Sequence, residues 1–186
     1  QKIISSMETN GSKVIDMMMG SHDKQVVFFK NMTHHLMNLD RSFLNNTVNV
    51  ILTRNPVEML PSYAKVINNP SMDDVGYALQ VDLLNYLNER DLNPLVIDST
   101  KVLLNPEKEL MYLCKRINIP FNDKMLLWKP QPIKEDGVWA KHWYKNIHKS
   151  EGFNKYKPKT EPFPMDLNAL LESCIPCYDE LMRFSN

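Results

Sequence analysis

Short apolar runs alternate along this chain with longer segments whose apolar residues recur at helical spacing. The short runs are rich in β-branched or aromatic side chains, which predicts buried strands, and the longer segments predict amphipathic helices. Strands are predicted at 25–29, 48–53 and 94–98, and helices at 2–20, 57–66, 71–90, 105–118 and 166–184. This strand–helix–strand order predicts an α/β fold in which a parallel sheet is flanked by helices.

Two of the predicted helices carry local signals at their ends. Ser71 is a typical N-cap residue, and Asp73 and Asp74 place negative charge in the first turn, where the helix dipole favours it. Asn118 stands where the glycine that commonly ends a helix is expected. These residues predict that one helix begins at 71 and that another ends at 118.

The apolar run at 48–53 ends at Arg54, and an Asn-Pro pair then turns the chain into a helix. The carboxyl end of a parallel strand, facing a helix N-terminus, is where open α/β sheets bind anionic ligands. Arg54 offers a bidentate fork for phosphate, and the Ser62 hydroxyl offers a further donor. The alternative is that Arg54 only ends the strand and pairs with a carboxylate, that of Asp40 or Glu58.

Composition narrows the class of protein. The 186 residues include 22 Lys+Arg and 22 Asp+Glu, and 43% are hydrophobic. This fits one globular domain, residues 1–186, with a sizeable core. The zero net charge argues against a general nucleic-acid-binding protein, which normally has a basic excess, so any anion site must be local. No apolar run approaches the roughly 20 residues of a transmembrane helix, so no membrane partner is expected.

The three cysteines do not form a disulfide framework. Cys174 and Cys177 have the spacing of a redox pair, but they lie inside a late helical pattern and not after a strand at a helix start. A structural role is therefore favoured over redox chemistry. The cysteine usage predicts a reducing, cytoplasmic setting.

Arg54 and Ser62 also belong to a recognisable motif. Their segment, residues 52–63, reads Leu-Thr-Arg-Asn-Pro-Val-Glu-Met-Leu-Pro-Ser-Tyr and resembles the 3′-phosphate-binding segment of sulfotransferases. The resemblance implies that the two residues hold the 3′-phosphate of 3′-phosphoadenosine 5′-phosphosulfate, the co-substrate. It also implies transfer of a sulfuryl group to a hydroxyl or amine of a small-molecule acceptor, with no metal. Residues 95–120 resemble a further segment of the family, whose role there is architectural.

Sulfuryl transfer needs positioning, cationic stabilisation and a base for the acceptor's proton, and histidine suits that last role near neutral pH. Residues 30–36, Lys-Asn-Met-Thr-His-His-Leu, resemble the Lys-Thr-His of cytosolic sulfotransferases with extra residues inserted. The resemblance implies that Lys30 stabilises charge and that His34 or His35 is the base, with His34 favoured. The alternative is that the histidines cap a short helix or bind adventitious metal. Zinc is disfavoured because no carboxylate or cysteine lies at ligand spacing nearby.

A late loop resembles the Gly-containing loop that closes over the 3′-phosphate in sulfotransferases. Gly137 matches the glycine, but acidic residues stand immediately before it where cations are expected. Lys134 and Lys141 are the candidate cations. Trp139 or Trp143 would stack on adenine or, as the favoured alternative, pack in the core or in a lid.

The resemblance implies a three-layer fold of the P-loop nucleoside-triphosphate-hydrolase type, and the chain departs from it upstream. The family begins with a strand, a Gly/Ser/Thr-rich loop and a helix that bind the 5′-phosphosulfate. The nearest string here, Gly11-Ser12-Lys13, follows no apolar strand. We therefore expect the N-terminal strand and loop of the family, a unit of about 30 or more residues, to precede Gln1.

Two other functions stay open at this point. One is a small-molecule or nucleoside kinase on the same sheet, for which Asp98 is a candidate magnesium ligand. The other is a non-catalytic domain that binds a nucleotide or a partner protein. The acceptor would contact variable loops such as 66–76 and 150–164, whose composition names no substrate class, and the oligomeric state carries no signal.

Overall fold

The computed structural model describes residues 7–133, 136–138, 140 and 144–185. The chain divides into two compact units, which we describe separately. The sheet unit comprises Met19–Thr100 and Lys157–Asn186, and the second unit comprises Gln1–Met18 and Lys101–Tyr156.

Short strands and helices make up both units. The strands are β1 (Val50–Thr53) and β2 (Leu95–Asp98). The helices are α1 (Gly11–Met19), α2 (Pro56–Tyr63), α3 (Met72–Val75), α4 (Tyr77–Asn88), α5 (Ser99–Leu104), α6 (Pro106–Arg116) and α7 (Asn168–Met182). Five 3₁₀ turns of the described residues lie at Thr33–Leu36, Ser42–Asn46, Asp123–Met125, Ile147–Lys149 and Met165–Leu167.

The two strands pair in parallel, as the alternation of elements predicts. The register runs from Val50 opposite Leu95 to Thr53 opposite Asp98. All four residues of β2 are buried, whereas β1 alternates exposed and buried positions. An α/β architecture with a small parallel sheet is therefore confirmed.

The predicted strand at 25–29 is wrong. This segment pairs with no strand in the described part of the chain, and the side chains of Val26 and Phe28 are 58% and 84% exposed. An apolar run becomes a strand only where a neighbouring strand completes its hydrogen bonds, which a local pattern cannot reveal. Lys30 consequently follows an exposed extended segment and does not stand at a strand end.

The core of the sheet unit lies between α2, α4, α7 and β2. The fully buried side chains there include Leu60, Leu84, Leu87 and Leu181. Each comes from the face of its helix that the sheet or a neighbouring helix covers, as amphipathic spacing requires. The predicted closing helix is confirmed as α7.

The helix predicted at 71–90 is two helices, because Gly76 interrupts it with a φ of 75°. A side chain at Gly76 would place its Cβ atom 2.9 Å from Thr33 Oγ1, so this position requires glycine for both its backbone angle and its close approach. The predicted N-cap is confirmed: Ser71 Oγ accepts a hydrogen bond from the Asp74 N–H at 3.3 Å.

In the second unit, Asn105 caps α6 by accepting a hydrogen bond from the Lys108 N–H at 3.2 Å. Asn118, just beyond the same helix, has a φ of 56°, the left-handed conformation expected of a helix-ending residue. The first predicted helix is shorter than 2–20, because Asn10 caps α1 through a hydrogen bond from the Lys13 N–H. Residues 1–6 lie outside the described range, and no described residue of α1 is buried.

Candidate functional site

Buried polar atoms without a hydrogen-bond partner collect at the carboxyl ends of β1 and β2. Thr53, the last residue of β1, is 3% exposed, and its Oγ1 has no partner among the described residues. Four further buried atoms also lack a hydrogen-bond partner among the described residues: Arg54 Nε, Ser99 Oγ and Thr100 Oγ1 at the strand ends, and Gln80 Oε1 on α4. Because buried polar groups in proteins are almost always hydrogen-bonded, these atoms are available to bond water or ligand atoms.

Arg54 directly follows Thr53 and is held from two sides. Its Nη2 lies 3.3 Å from Glu58 Oε2, one helical turn away, and its carbonyl oxygen accepts a 2.6 Å hydrogen bond from Tyr77 Oη. The alternative pairing of Arg54 is therefore confirmed for Glu58 and wrong for Asp40, whose carboxylate accepts from Ser42 instead. The Arg54 side chain stays 38% exposed, and its guanidinium keeps donors for a further anion.

Ser62 lies two helical turns beyond Arg54, and a lysine from a distant segment contacts it. Lys159 Nζ donates to Ser62 Oγ at 2.8 Å and to the Glu58 carbonyl oxygen at 2.7 Å. Burial, together with the nearby charges of Arg54 and Lys65, lowers the pKa of Lys159. Arg54 and Lys65 therefore lie close enough to Lys159 to affect its charge, and this positive charge beside Ser62 suits a phosphate.

The sequence interpretation missed Lys159. The residue stands in a polar, proline-rich stretch with no motif around it, 97 positions after Ser62. No spacing rule links residues so far apart, because only the packing of the tertiary fold brings them into contact. Nothing in the local sequence distinguishes Lys159 from the other lysines of this stretch.

Asp98, at the end of β2, is the site's buried carboxylate. It is 2% exposed, its Oδ1 accepts from the Thr100 N–H at 2.8 Å, and its Oδ2 accepts from Tyr178 Oη at 3.0 Å. Burial, and then the Asp98 charge, raise the pKa of Tyr178. Both Asp98 oxygens therefore already accept hydrogen bonds from the polypeptide, which does not favour the magnesium ligand of the kinase alternative. Within the described ranges, no group of three or more His, Cys, Asp or Glu residues is placed to hold a metal ion.

The two candidate bases lie in the exposed 3₁₀ turn Thr33–Leu36. Their rings meet edge to face with centroids 4.6 Å apart. His35 Nδ1 accepts a 3.4 Å hydrogen bond from the Met32 N–H, and the pKa of His35 is lowered by burial and then by His34. His35 therefore caps the 3₁₀ turn, as the alternative interpretation predicts. The one ring nitrogen of a neutral imidazole that can accept a hydrogen bond is already used by the Met32 N–H.

The 3₁₀ turn and Arg54 both border the start of α4. Thr33 lies against Gly76, and the next residue, Tyr77, binds the Arg54 carbonyl oxygen. Among the described residues, no hydrogen bond or ion pair joins Lys30, His34 or His35 to Arg54 or Ser62. The structure links Arg54 and Ser62 through Glu58, whose carboxylate pairs with Arg54 and whose carbonyl oxygen accepts from the same Lys159 ammonium as Ser62 Oγ.

Gly137 belongs to the second unit. Its carbonyl oxygen accepts from the Ala140 N–H at 2.9 Å. Asp136, immediately before it, pairs with His148 Nε2 at 2.7 Å and accepts from the Ile133 N–H at 3.0 Å. The other predicted residues of this loop, Lys134, Trp139, Lys141 and Trp143, lie outside the described residues.

In a comparison with known protein families, residues 1–184 match a family described as "Sulfotransferase domain". Two similar proteins of Arabidopsis thaliana are "Branched-chain-amino-acid aminotransferase-like protein 1" and "Branched-chain-amino-acid aminotransferase-like protein 2". They are 38% and 35% identical to this chain over 182 residues, or 97% of its length. The chain spans about a third of each relative, 33% and 32%. No solved structure matches the chain, and no helix of its described residues is long and apolar enough to cross a membrane.

Proposed function

The chain belongs to the sulfotransferase domain family, and we propose that it takes part in transfer of a sulfuryl group from 3′-phosphoadenosine 5′-phosphosulfate to a hydroxyl or amine. The observation that carries this proposal is that Glu58 links the two residues Arg54 and Ser62: its carboxylate pairs with Arg54, and its carbonyl oxygen shares the Lys159 ammonium with Ser62 Oγ, while Arg54 Nε has no partner among the described residues. We further propose that the two strands belong to a three-layer, P-loop-type sheet, and that the chain forms one domain of a cytoplasmic protein with a small-molecule acceptor.

The residues at the strand ends fit a phosphate group. The Arg54 Nε is buried without a partner among the described residues, and Arg54 Nη2 is shared with Glu58 in a pair that an incoming anion can replace. Ser62 adds a hydroxyl donor in the last turn of α2. A phosphate monoester satisfies both groups, since guanidinium and hydroxyl donors match its oxygens. Arg54 and Ser62 would therefore hold the 3′-phosphate.

The bound co-substrate supplies the sulfuryl group. The protein binds and orients the reactants and removes a proton from the acceptor. The acceptor's proton passes to His34, because the neutral lone pair of His35 is engaged by the Met32 N–H. The exposed Lys30 ammonium stabilises developing charge. The resemblance also gives Gly137, Lys134 and Lys141 roles in binding the 3′-phosphate, and these roles stay predictions.

The two Arabidopsis relatives are named as aminotransferase-like proteins, a description of the whole of each relative, whereas this chain spans only about a third of each. The matched family over residues 1–184 is instead the sulfotransferase domain.

Calorimetric titration tests the proposal. We expect adenosine 3′,5′-bisphosphate to bind more tightly than ATP with magnesium, and Arg54→Ala to weaken bisphosphate binding by roughly tenfold or more while changing adenosine 5′-monophosphate binding little. Arg90→Ala is the matched control, since Arg90 stacks on Tyr86 on the exposed side of α4. Equal losses for both nucleotides on Arg54→Ala would contradict the 3′-phosphate site. Preference for magnesium-ATP would favour the kinase alternative.

A further inference from the structure

We propose that Lys159 is the residue that makes the Arg54–Ser62 site select nucleotides that carry a 3′-phosphate in addition to the 5′-phosphate. The inference rests on the proposed function and adds a specificity-determining residue to it. Lys159 reaches the site from the segment that follows the second unit in sequence, and its ammonium contacts the helix that carries Ser62.

The hydrogen bonds of Lys159 leave one donor available. An ammonium group has three N–H bonds. Two of them are used by the Ser62 hydroxyl and the Glu58 carbonyl oxygen, at 2.8 and 2.7 Å. No further partner of Lys159 exists among the described residues, so the third N–H is free to donate to a ligand oxygen beside Ser62.

Lys159 also sets the direction of the Ser62 hydroxyl. A serine inside a helix commonly donates to the carbonyl oxygen four residues earlier, which here is that of Glu58. Lys159 already donates to that carbonyl oxygen, and it donates to Ser62 Oγ as well. The Ser62 oxygen therefore acts as an acceptor toward the helix side, and its proton is left to donate outward, to an acceptor such as a phosphate oxygen.

The local charge favours a doubly charged anion. Arg54 and Lys65 both lower the pKa of Lys159, after burial, which means that neighbouring cations destabilise its charged form. Glu161 and Glu58 act in the opposite direction and raise that pKa. A dianionic 3′-phosphate would offset this positive charge, and a nucleotide without a 3′-phosphate has no such group to place beside Ser62.

The test is titration calorimetry of the protein with adenosine 3′,5′-bisphosphate and with adenosine 5′-monophosphate. Lys159→Met should weaken bisphosphate binding by about tenfold or more and change monophosphate binding by less than about twofold. Lys159→Arg should recover most of the loss, because it restores the charge and the donors. Lys157→Met is the matched control, since Lys157 is an exposed lysine two positions away, and it should change neither affinity.

A double-mutant cycle separates orientation from direct contact. If Lys159 works partly through Ser62, the effect of Lys159→Met should be smaller in a Ser62→Ala background than in the native one. Bisphosphate affinity that is unchanged or higher in Lys159→Met, with an unaltered thermal midpoint, would overturn the inference and identify Lys159 as a structural tie or an occluding group. A native protein that binds both nucleotides equally would overturn the proposed function itself, and the inference with it.

Discussion

Lys159 Nζ lies 2.8 Å from Ser62 Oγ, although 97 positions of sequence separate the two residues. The contact joins a loop without regular structure to the helix that follows β1. A local motif already indicates Arg54 at the strand end and Ser62 on the helix. The contact adds a second cation, Lys159, beside Ser62. Five predictions concern this site and the elements around it.

Glu58→Gln should strengthen binding of adenosine 3′,5′-bisphosphate by about two- to fivefold, because the carboxylate competes with the ligand for Arg54. The substitution leaves the Glu58 carbonyl oxygen, and hence its bond from Lys159, in place. Titration calorimetry at low and high salt measures the effect, which salt should reduce. Asp82→Asn is the control, since it removes the same charge from a pair with Arg41. Weaker binding in Glu58→Gln would mean that Glu58 positions Arg54 instead of competing for it.

His34→Gln should lower kcat for sulfuryl transfer to a phenol or primary amine by roughly 10²–10⁴-fold, the usual contribution of a general base. His35→Gln should lower it by less than about tenfold, because His35 Nδ1 already accepts from the Met32 N–H. Steady-state rates measure kcat, and titration with adenosine 3′,5′-bisphosphate checks that binding is intact. A larger loss in His35→Gln than in His34→Gln would reverse this assignment.

Tyr178→Phe should lower the free energy of unfolding by about 1.5–3 kcal/mol near neutral pH, because the buried Asp98 loses a hydrogen-bond donor. Urea unfolding measures the change. Tyr112→Phe is the control: its hydroxyl accepts from Arg116 on an exposed helix face, and its loss should cost less than about 0.5 kcal/mol.

The same tyrosine predicts a pH dependence. Burial, and then Asp98, raise the pKa of Tyr178, so the stability it contributes is complete below the ordinary tyrosine pKa. That stability is lost as the pH rises from about 10 toward the raised value, because the unfolded chain loses its proton first. Between about pH 9 and about pH 11, Tyr178→Phe should therefore lose less stability than the native protein. Tyr77, whose pKa burial also raises, continues to contribute in both. Parallel pH profiles would contradict the buried Tyr178–Asp98 bond.

Gly76→Ala should destabilise the protein by about 1–3 kcal/mol, because alanine must adopt a φ of 75° and its Cβ would lie 2.9 Å from Thr33 Oγ1. In a Thr33→Ala background the contact is relieved and only the cost of the positive φ, about 1 kcal/mol, should remain. Urea unfolding of the four proteins of this cycle gives both values. An equal cost in both backgrounds would mean that Thr33 does not approach Gly76 closely.

The sequence determined those features that depend on neighbours along the chain. The apolar runs of β1 and β2, the cap at Ser71 and the left-handed Asn118 each follow from a few adjacent residues. The pairing of Arg54 with Glu58 is of the same kind, since one helical turn separates them. The segment 25–29 has an equally apolar pattern, but its strand failed because pairing needs a partner elsewhere in the chain.

Tertiary structure decided which groups meet. Lys159 reaches Ser62, and Tyr178 reaches Asp98 across 80 positions, through packing that no local pattern encodes. The unpartnered atoms of Thr53 and Ser99 share one edge only because β1 and β2 pair in parallel and in this register. The physical reason is that hydrogen bonds and charges act over a few ångströms of space, whatever the distance along the chain. The local motif therefore identified Arg54 and Ser62. Tertiary packing brought Lys159 to Ser62 and gathered the buried polar atoms at the strand ends.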